Sequence, residues 1–393
     1  MEAAHSDTLR DFMAEDDDAN VNQGHGVSTS TQNTNEENDG DSDSDIDMEG
    51  DDSDSDESGD YSESDCEDGT WVEKALASGY DKQEVTRFLK DISSDIARRH
   101  SAPDVGPILG LKQNVSLSSL QHRGVAEALY SKKSRFNGMI LADPPGTGKT
   151  LIALATIAMS TAKRTSLKGP CVVVTPDSIC HQWMEEIDKY FGYDQMPWVY
   201  IDKYTSVSPE DVSKSKVVIT SYPYVASEFA RVQKFNQGMD AYKKGEATEP
   251  PERPKLLLLS GSLDQGSQSP MGEWLVLDDA LAIRNPNSRT YHAISNLRDS
   301  FNGCLMMVSV FNYELYDFYP LVSMLRGHPF TSFLFYKATF LQSSKYNDDL
   351  FHLFPLVLPS PKGYFKKRFE KMFKACCLRR PQWLLYDKIR ELS

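Results

Sequence analysis

The chain has 393 residues and a net charge of −16, with 39% hydrophobic and 25% charged residues. That is enough apolar content for a packed core, and no stretch approaches the ~18 apolar residues of a membrane-spanning helix. The six cysteines (Cys66, Cys171, Cys180, Cys304, Cys376, Cys377) lack any Cys-x-x-Cys spacing, which excludes a zinc module of that kind. With scattered thiols and no apolar leader, the expectation is a soluble intracellular protein.

The acidity is confined to one end. Residues 1–70 hold 25 acidic residues against Arg10, a net of −24, which leaves +8 on residues 71–393. Runs such as Asp51-Asp52-Ser53-Asp54-Ser55-Asp56-Glu57 cannot bury enough apolar surface to offset chain entropy, so 1–70 is expected to be a disordered acidic tail. Its acid-flanked serines suit an acid-directed kinase, and its charge suits histones or other basic partners.

Residues 71–110 read as a helical segment and linker. Val72, Ala75, Leu76, Val85, Phe88, Leu89, Ile92 and Ile96 recur at helical spacing before Pro103 and Gly106-Pro107. Strands and helices then alternate through 111–330. Met139-Ile140-Leu141-Ala142 reads as a buried strand, and the residues from Leu151 onward as a helix. Between them lies Asp143-Pro144-Pro145-Gly146-Thr147-Gly148-Lys149-Thr150. Strand, glycine-rich loop and helix in that order build a phosphate-binding loop, whose backbone N–H groups and helix N-terminus face anionic oxygens. Gly146, Thr147 and Gly148 would cradle the phosphates of ATP, Lys149 would reach the outer ones, and Thr150 would hold Mg²⁺.

Cys171 to Thr175 reads as a strand, 179–191 as a helix, and Lys216 to Ser221 as another strand. The polar, Pro/Gly/Ser-rich stretch 234–271 reads as a long loop insertion. Trp274 to Leu277 is the next strand, ending at Asp278, a usual position for a magnesium-binding carboxylate. Gly303 to Val308 is the last strand expected. Strands apolar on both faces and separated by helices imply a mostly parallel sheet covered on both sides. Residues 331–393 form a basic and aromatic helical extension, in which Lys362, Lys366, Lys367, Arg368, Lys371 and Lys374 interleave with Tyr364, Phe365, Phe369 and Phe373. That pattern fits either a DNA-backbone contact or an amphipathic helix with a phenylalanine core face. Trp183 reads as core, His181 and His292 as isolated surface histidines, and Cys376-Cys377 as buried thiols.

The motif order resembles the N-terminal, RecA-like lobe of Swi/Snf-type DNA-dependent ATPases, within the superfamily-two helicase-like proteins. The resemblance is carried by Leu120-Gln121, the loop itself, Pro170 to Pro176 with Gln182-Trp183, Val217 to Tyr222 with Glu228, Leu277-Asp278-Asp279-Ala280 with Arg284-Asn285, and Leu378-Arg379-Arg380. It implies that Gln121 contacts adenine, that Asp278 binds Mg²⁺, and that Asp279 stands where a water-positioning acid belongs. DNA as a partner, a nuclear location and a role in chromatin remodelling or DNA repair are also implied. A glycine-rich loop of this composition occurs in AAA-type enzymes too, but the long gap from Lys149 to Asp278 and the Gln-Trp pair argue against that class.

The departures from the family pattern bear on turnover. The family's Asp-Glu-x-His box is Asp278-Asp279-Ala280-Leu281 here, and its Thr-Gly-Thr-Pro element is Met306-Met307-Val308-Ser309, with Asn312 following. Pro144 replaces the acidic residue that usually precedes the loop. Chain remaining after Leu378-Arg379-Arg380 is too short for a second lobe, whose arginine is worth roughly 10³–10⁵ in rate. The expectation is an ATP-binding lobe, weak or inactive in hydrolysis as this chain alone. Whether it is an enzyme is left open, the alternatives being a pseudo-ATPase scaffold or a truncated gene product.

Overall fold

Seven strands form one parallel sheet: β1 Gly138–Leu141, β2 Cys171–Thr175, β3 Trp198–Ile201, β4 Val217–Ser221, β5 Gly272–Leu277, β6 Phe301–Met307 and β7 Cys377–Leu378. Their order is β3-β4-β2-β5-β6-β1-β7, and every pairing is parallel. The computed structural model describes residues 81–161, 169–263, 272–309, 315–330, 332–340 and 363–380, all within the unit Gly69–Ser393. The acidic segment 1–70, the first ten residues of the expected 71–110 helical segment, Asn312 and Lys362 lie outside those residues.

The strands' continuous apolar runs follow from burial on both faces. Val172, Val174, Leu275 and Leu277 belong to one core cluster, and Val173 and Val276 to the other, as the two-residue period of a strand demands. Helices α2 (Ser119–Lys133), α3 (Lys149–Thr161) and α4 (Cys180–Tyr190) supply Val125, Ile152 and Trp183 to one face. The other face is covered by α1 (Lys82–His100), α6 (Tyr222–Lys243), α7 (Arg289–Arg298), α8 (Leu315–Ser323), α9 (Phe333–Phe340) and α10 (Gly363–Cys376), through residues such as Phe88, Val225, Ile294, Phe318, Phe335 and Phe369. The remaining helix, α5 (Pro209–Lys214), is a short turn between β3 and β4. Among the described residues no helix is long and apolar enough to cross a membrane. The described cysteines are all free and buried.

Three local differences from the sequence expectation have physical causes. The edge strand β3 was not anticipated, because only its last residue is fully buried and a half-exposed edge lacks the apolar run of the inner strands. Two-residue β7 carries too little sequence to show a period. Helix α6 runs to Lys243, into the stretch expected as loop. Beyond it, the buried Glu228 carboxylate accepts the backbone N–H groups of Leu257, Leu258 and Leu259 at 2.8, 3.0 and 3.0 Å, and fixes Leu258 and Leu259 in the core.

Helix α1 is tied to the far end of the lobe by a buried arginine. The Arg99 guanidinium donates to the carbonyls of Lys374 (2.7 Å) and Ala375 (3.1 Å) in the last turn of α10, which lack intrahelical partners, and to that of Cys377 (3.0 Å) in β7. It also pairs with Glu127 of α2 at 3.1 Å. Burial opposes ionisation of Glu127, but the His100 hydrogen bond and the charges of Arg99, His100 and Arg123 outweigh it and lower its pKa. Arg123 in turn donates to Ala102 (2.6 Å) and Arg99 (2.8 Å) carbonyls, capping the end of α1. Arg99→Ala is expected to lower the unfolding free energy by about 3 kcal/mol, the low end for breaking a buried pair, because Arg123 and His100 still face Glu127. Urea denaturation checks this, and a loss below about 1 kcal/mol would contradict the bracing role.

Candidate functional site

The C-terminal edge of a parallel sheet is where loops converge and ligands bind. Here β1 runs directly into Asp143 and the glycine-rich loop, β5 ends at Asp278, and β6 lies between them in the sheet. Lys149 and Thr150 open α3 at this edge. Lys149 and Asp278 act on one another electrostatically across the site.

The loop's backbone depends on two glycines. Gly146 (φ +79°) and Gly148 (φ +80°) are left-handed, a conformation L side chains rarely adopt. A Cβ on Gly148 would lie 2.3 Å from the Gln121 amide nitrogen, whereas beside Gly146 there is nothing within 4 Å. The loop is thus open beside Gly146 and closed by Gln121 beside Gly148. The Lys149 amine lies over its own loop and donates to the carbonyls of Asp143 (2.7 Å) and Pro144 (3.1 Å). Burial lowers its pKa, against the raising influence of Asp143 and Asp278. The Thr147 hydroxyl donates to the Pro144 carbonyl at 2.9 Å.

Gln121 is the third residue of a capping box at the start of α2. Its amide oxygen accepts the Ser118 N–H at 2.9 Å, and its amide nitrogen donates to the Thr147 carbonyl at 3.2 Å. One donor hydrogen and one acceptor lone pair remain on this amide for a further partner. Gln121 thus couples the first turn of α2 to the glycine-rich loop.

Asp278 is held from several sides. The Trp183 indole N–H donates to its carboxylate at 2.8 Å and the Asp279 N–H at 3.0 Å, while the Tyr222 hydroxyl donates to its backbone carbonyl at 2.9 Å. Burial raises the Asp278 pKa against those donors. Asp279 is exposed and left-handed at φ +49°, a strained conformation that Asp tolerates better than most residues. Leu281 packs against the core, and Met306 and Met307 are buried at the end of β6. Val308 donates its N–H to the Leu141 carbonyl at 3.0 Å, so the stretch Met306 to Val308 is part of the packed sheet end between the loop and Asp278.

The loop entry carries a buried ion pair. Asp143 is fully buried and accepts from Arg380 through the backbone N–H (2.9 Å) and through Nε (3.2 and 3.0 Å to its two oxygens), with a further contact from Nη2. Arg380 Nη1 donates to the Leu120 carbonyl, next to Gln121.

Trp183 is in the core as expected, and it also positions Asp278. Glu228 is buried and anchors 257–259, and it also accepts from the Tyr224 hydroxyl at 3.1 Å. His181 and His292 are exposed, and no group of three or more His, Cys, Asp or Glu suited to a metal occurs among the described residues. On α10, Phe369 faces the core with Arg368, while Lys366 and Lys367 are exposed. The Asp143–Arg380 pair and the roles of Trp183 and Tyr222 were not read from the sequence. Contacts between residues up to 237 apart leave no local pattern, although Asp143 and Arg380 both stood inside quoted motifs.

Residues 120–389 match the family described as SNF2-related domain. The chain belongs to that family. It is 25% identical over 269 residues to the DNA repair protein RAD5 of Yarrowia lipolytica, covering 66% of this chain and 24% of that protein. A shorter stretch is 32% identical over 108 residues to the chromatin-remodeling ATPase INO80 of Eremothecium gossypii, covering 24% of this chain and 7% of that protein. The SWI2/SNF2 ATPase core domain of Sulfolobus solfataricus superposes with a TM-score of 0.50 over 72% of this chain and 47% of that one, at 17% identity. The RecA-like architecture is thus shared. The chain spans about a quarter of the length of RAD5, the repair protein it matches.

Trp183 and Asp278 should be energetically coupled within this site. A double-mutant cycle of Trp183→Phe and Asp278→Asn is expected to return about 1.5–3 kcal/mol, the range for a hydrogen bond to a charged group. Additive effects in thermal or urea unfolding would show that the indole N–H does not hold the carboxylate.

Proposed function

We propose that this chain is an ATP-binding lobe of a Swi/Snf-like, DNA-dependent ATPase and that it turns over ATP weakly or not at all by itself. The observation that carries the reading is the convergence of the left-handed glycine loop, Lys149 and Asp278 at one sheet edge, with open space beside Gly146. The residues fit Mg²⁺·ATP. Backbone N–H groups of Gly146, Thr147 and Gly148 suit phosphate oxygens, and Lys149 supplies a mobile positive charge once it leaves the loop carbonyls. The free donor and acceptor of Gln121 suit an adenine edge. With no all-protein metal cluster among the described residues, Thr150 and Asp278 suit an ion that keeps water and phosphate oxygens among its ligands, as magnesium does. When bound, that ion would neutralise charge developing on the transferring phosphoryl oxygens.

The altered residues support weak turnover. Asp279 is one methylene shorter than Glu, and a displacement of about 1 Å at a reacting water can cost ~10²-fold. Leu281 and the stretch Met306 to Val308 are engaged in packing and offer no polar side chain to sense a nucleotide. This favours nucleotide binding in an interaction or scaffold role over rapid motor activity. The names of the RAD5 and INO80 relatives support DNA as a partner, repair or remodelling as the setting, and the nucleus as the location. The charge of segment 1–70 suits histones or other basic proteins as further partners.

Titration of a fluorescent ATP analogue against the wild type and Lys149→Ala tests binding. At least a tenfold weaker affinity is expected for the variant, and equal affinity would refute the site. Phosphate release in the presence of DNA is expected to stay well below ~1 s⁻¹, the low end of ordinary enzymes. Turnover at or above that rate would overturn the reading of weak hydrolysis.

A further inference from the structure

We infer that Arg380 is a positioning residue for the nucleotide: it locks the glycine-rich loop to the Gln121 turn and keeps the Asp143 carboxylate from capturing Lys149. The inference deepens the ATP-binding reading and rests on it. One guanidinium reaches both segments that frame the site, with the Asp143 carboxylate on one side and the Leu120 carbonyl on the other. Leu120 precedes Gln121, whose amide donates to Thr147 within the loop. The planar fork of arginine has the donors to serve both partners at fixed angles, which a lysine amine does not.

The second half of the inference is electrostatic. Asp143 is 0% exposed and draws its donors from Arg380 alone among the hydrogen bonds of its side chain in the described residues. The Lys149 amine already sits 2.7 Å from the backbone carbonyl of the same residue. A buried carboxylate stripped of its guanidinium must find another positive partner or become protonated. Lys149 is the charge within reach, and a lysine paired with Asp143 is withdrawn from the phosphates. Arg380 would thus control ligand affinity without touching the ligand.

Arg380 is itself fixed by the fold behind it. The Ala142 N–H donates to the Leu378 carbonyl at 2.8 Å, aligning β7 with β1 two residues before Arg380. Arg99 holds the Cys377 carbonyl at 3.0 Å from the other side. Helix α1 precedes the segment matched by the family, so this brace extends the site beyond that segment.

The test compares the wild type, Arg380→Gln, Arg380→Lys and the double variant Arg380→Gln/Asp143→Asn, each first shown to be folded by thermal unfolding. With a fluorescent ATP analogue, Arg380→Gln is expected to bind at least tenfold more weakly. The double variant, which has no carboxylate to capture Lys149 but still lacks the Leu120 contact, should bind at least threefold more tightly than Arg380→Gln. Without nucleotide, hydrogen exchange of peptides covering 118–122 and 143–150 should accelerate at least tenfold in Arg380→Lys, which keeps the charge but loses the fork. Arg380→Gln binding within twofold of wild type would overturn the inference, as would a double variant as weak as the single one or unchanged exchange in Arg380→Lys. If Arg380→Gln does not fold, Arg380→Lys and its exchange rates decide the matter. Failure of the wild type to bind the analogue would sink the ATP reading instead, while the ligand-free exchange measurement would still stand.

Discussion

A carboxylate with no exposure to water governs the geometry of the sheet edge that carries the site. Asp143 sits where β1 ends and the glycine-rich loop begins, and it is satisfied by Arg380 from the far end of the lobe. An isolated buried charge costs several kcal/mol, and such a pair is tolerable only when its hydrogen bonds are well made. The loop entry and the last strand therefore stand or fall together. That dependence propagates backward: β7 is aligned on β1, α10 ends in carbonyls held by Arg99, and Arg99 is paired with Glu127 of α2. A helix near residue 90 and a loop near residue 145 are thus joined through a strand near residue 377.

The same edge separates what the family fold retains from what this chain has altered. The loop, Lys149 and Asp278 carry the charges and backbone donors on which the proposed binding of a triphosphate with magnesium rests. The stretch between them does not keep its polar character, because Met306, Met307 and Val308 are packed as core. Polar side chains there would have to be buried with partners or exposed to a ligand, and methionine and valine need neither. The substitutions thus favour a stable sheet end over responsiveness to nucleotide. On the proposed reading, binding without efficient turnover follows from that packing.

Much of the architecture was legible in the sequence because burial on both faces leaves long apolar runs. The cores of β1, β2, β4, β5 and β6 coincide with the expected strands to within one or two residues, and so does α4. The loop was legible because Gly146 and Gly148 are demanded by positive φ and by the close approach of Gln121. The edge elements were not, since β3 is half-exposed and β7 is two residues long. Nor could the sequence show that Glu228 would be spent on three backbone N–H groups, or that Trp183 would hold Asp278. Those roles arise from pairings between residues 29 to 95 positions apart, where no local periodicity operates.

The most direct measurement is an experimental structure of this chain with magnesium and a non-hydrolysable ATP analogue. In it the Lys149 amine should leave the Asp143 and Pro144 carbonyls for the phosphates while the Asp143–Arg380 pair stays intact. Asp278, still held by Trp183, should face the magnesium. A nucleotide bound elsewhere, or bound at the loop with the Asp143–Arg380 pair broken, would contradict it.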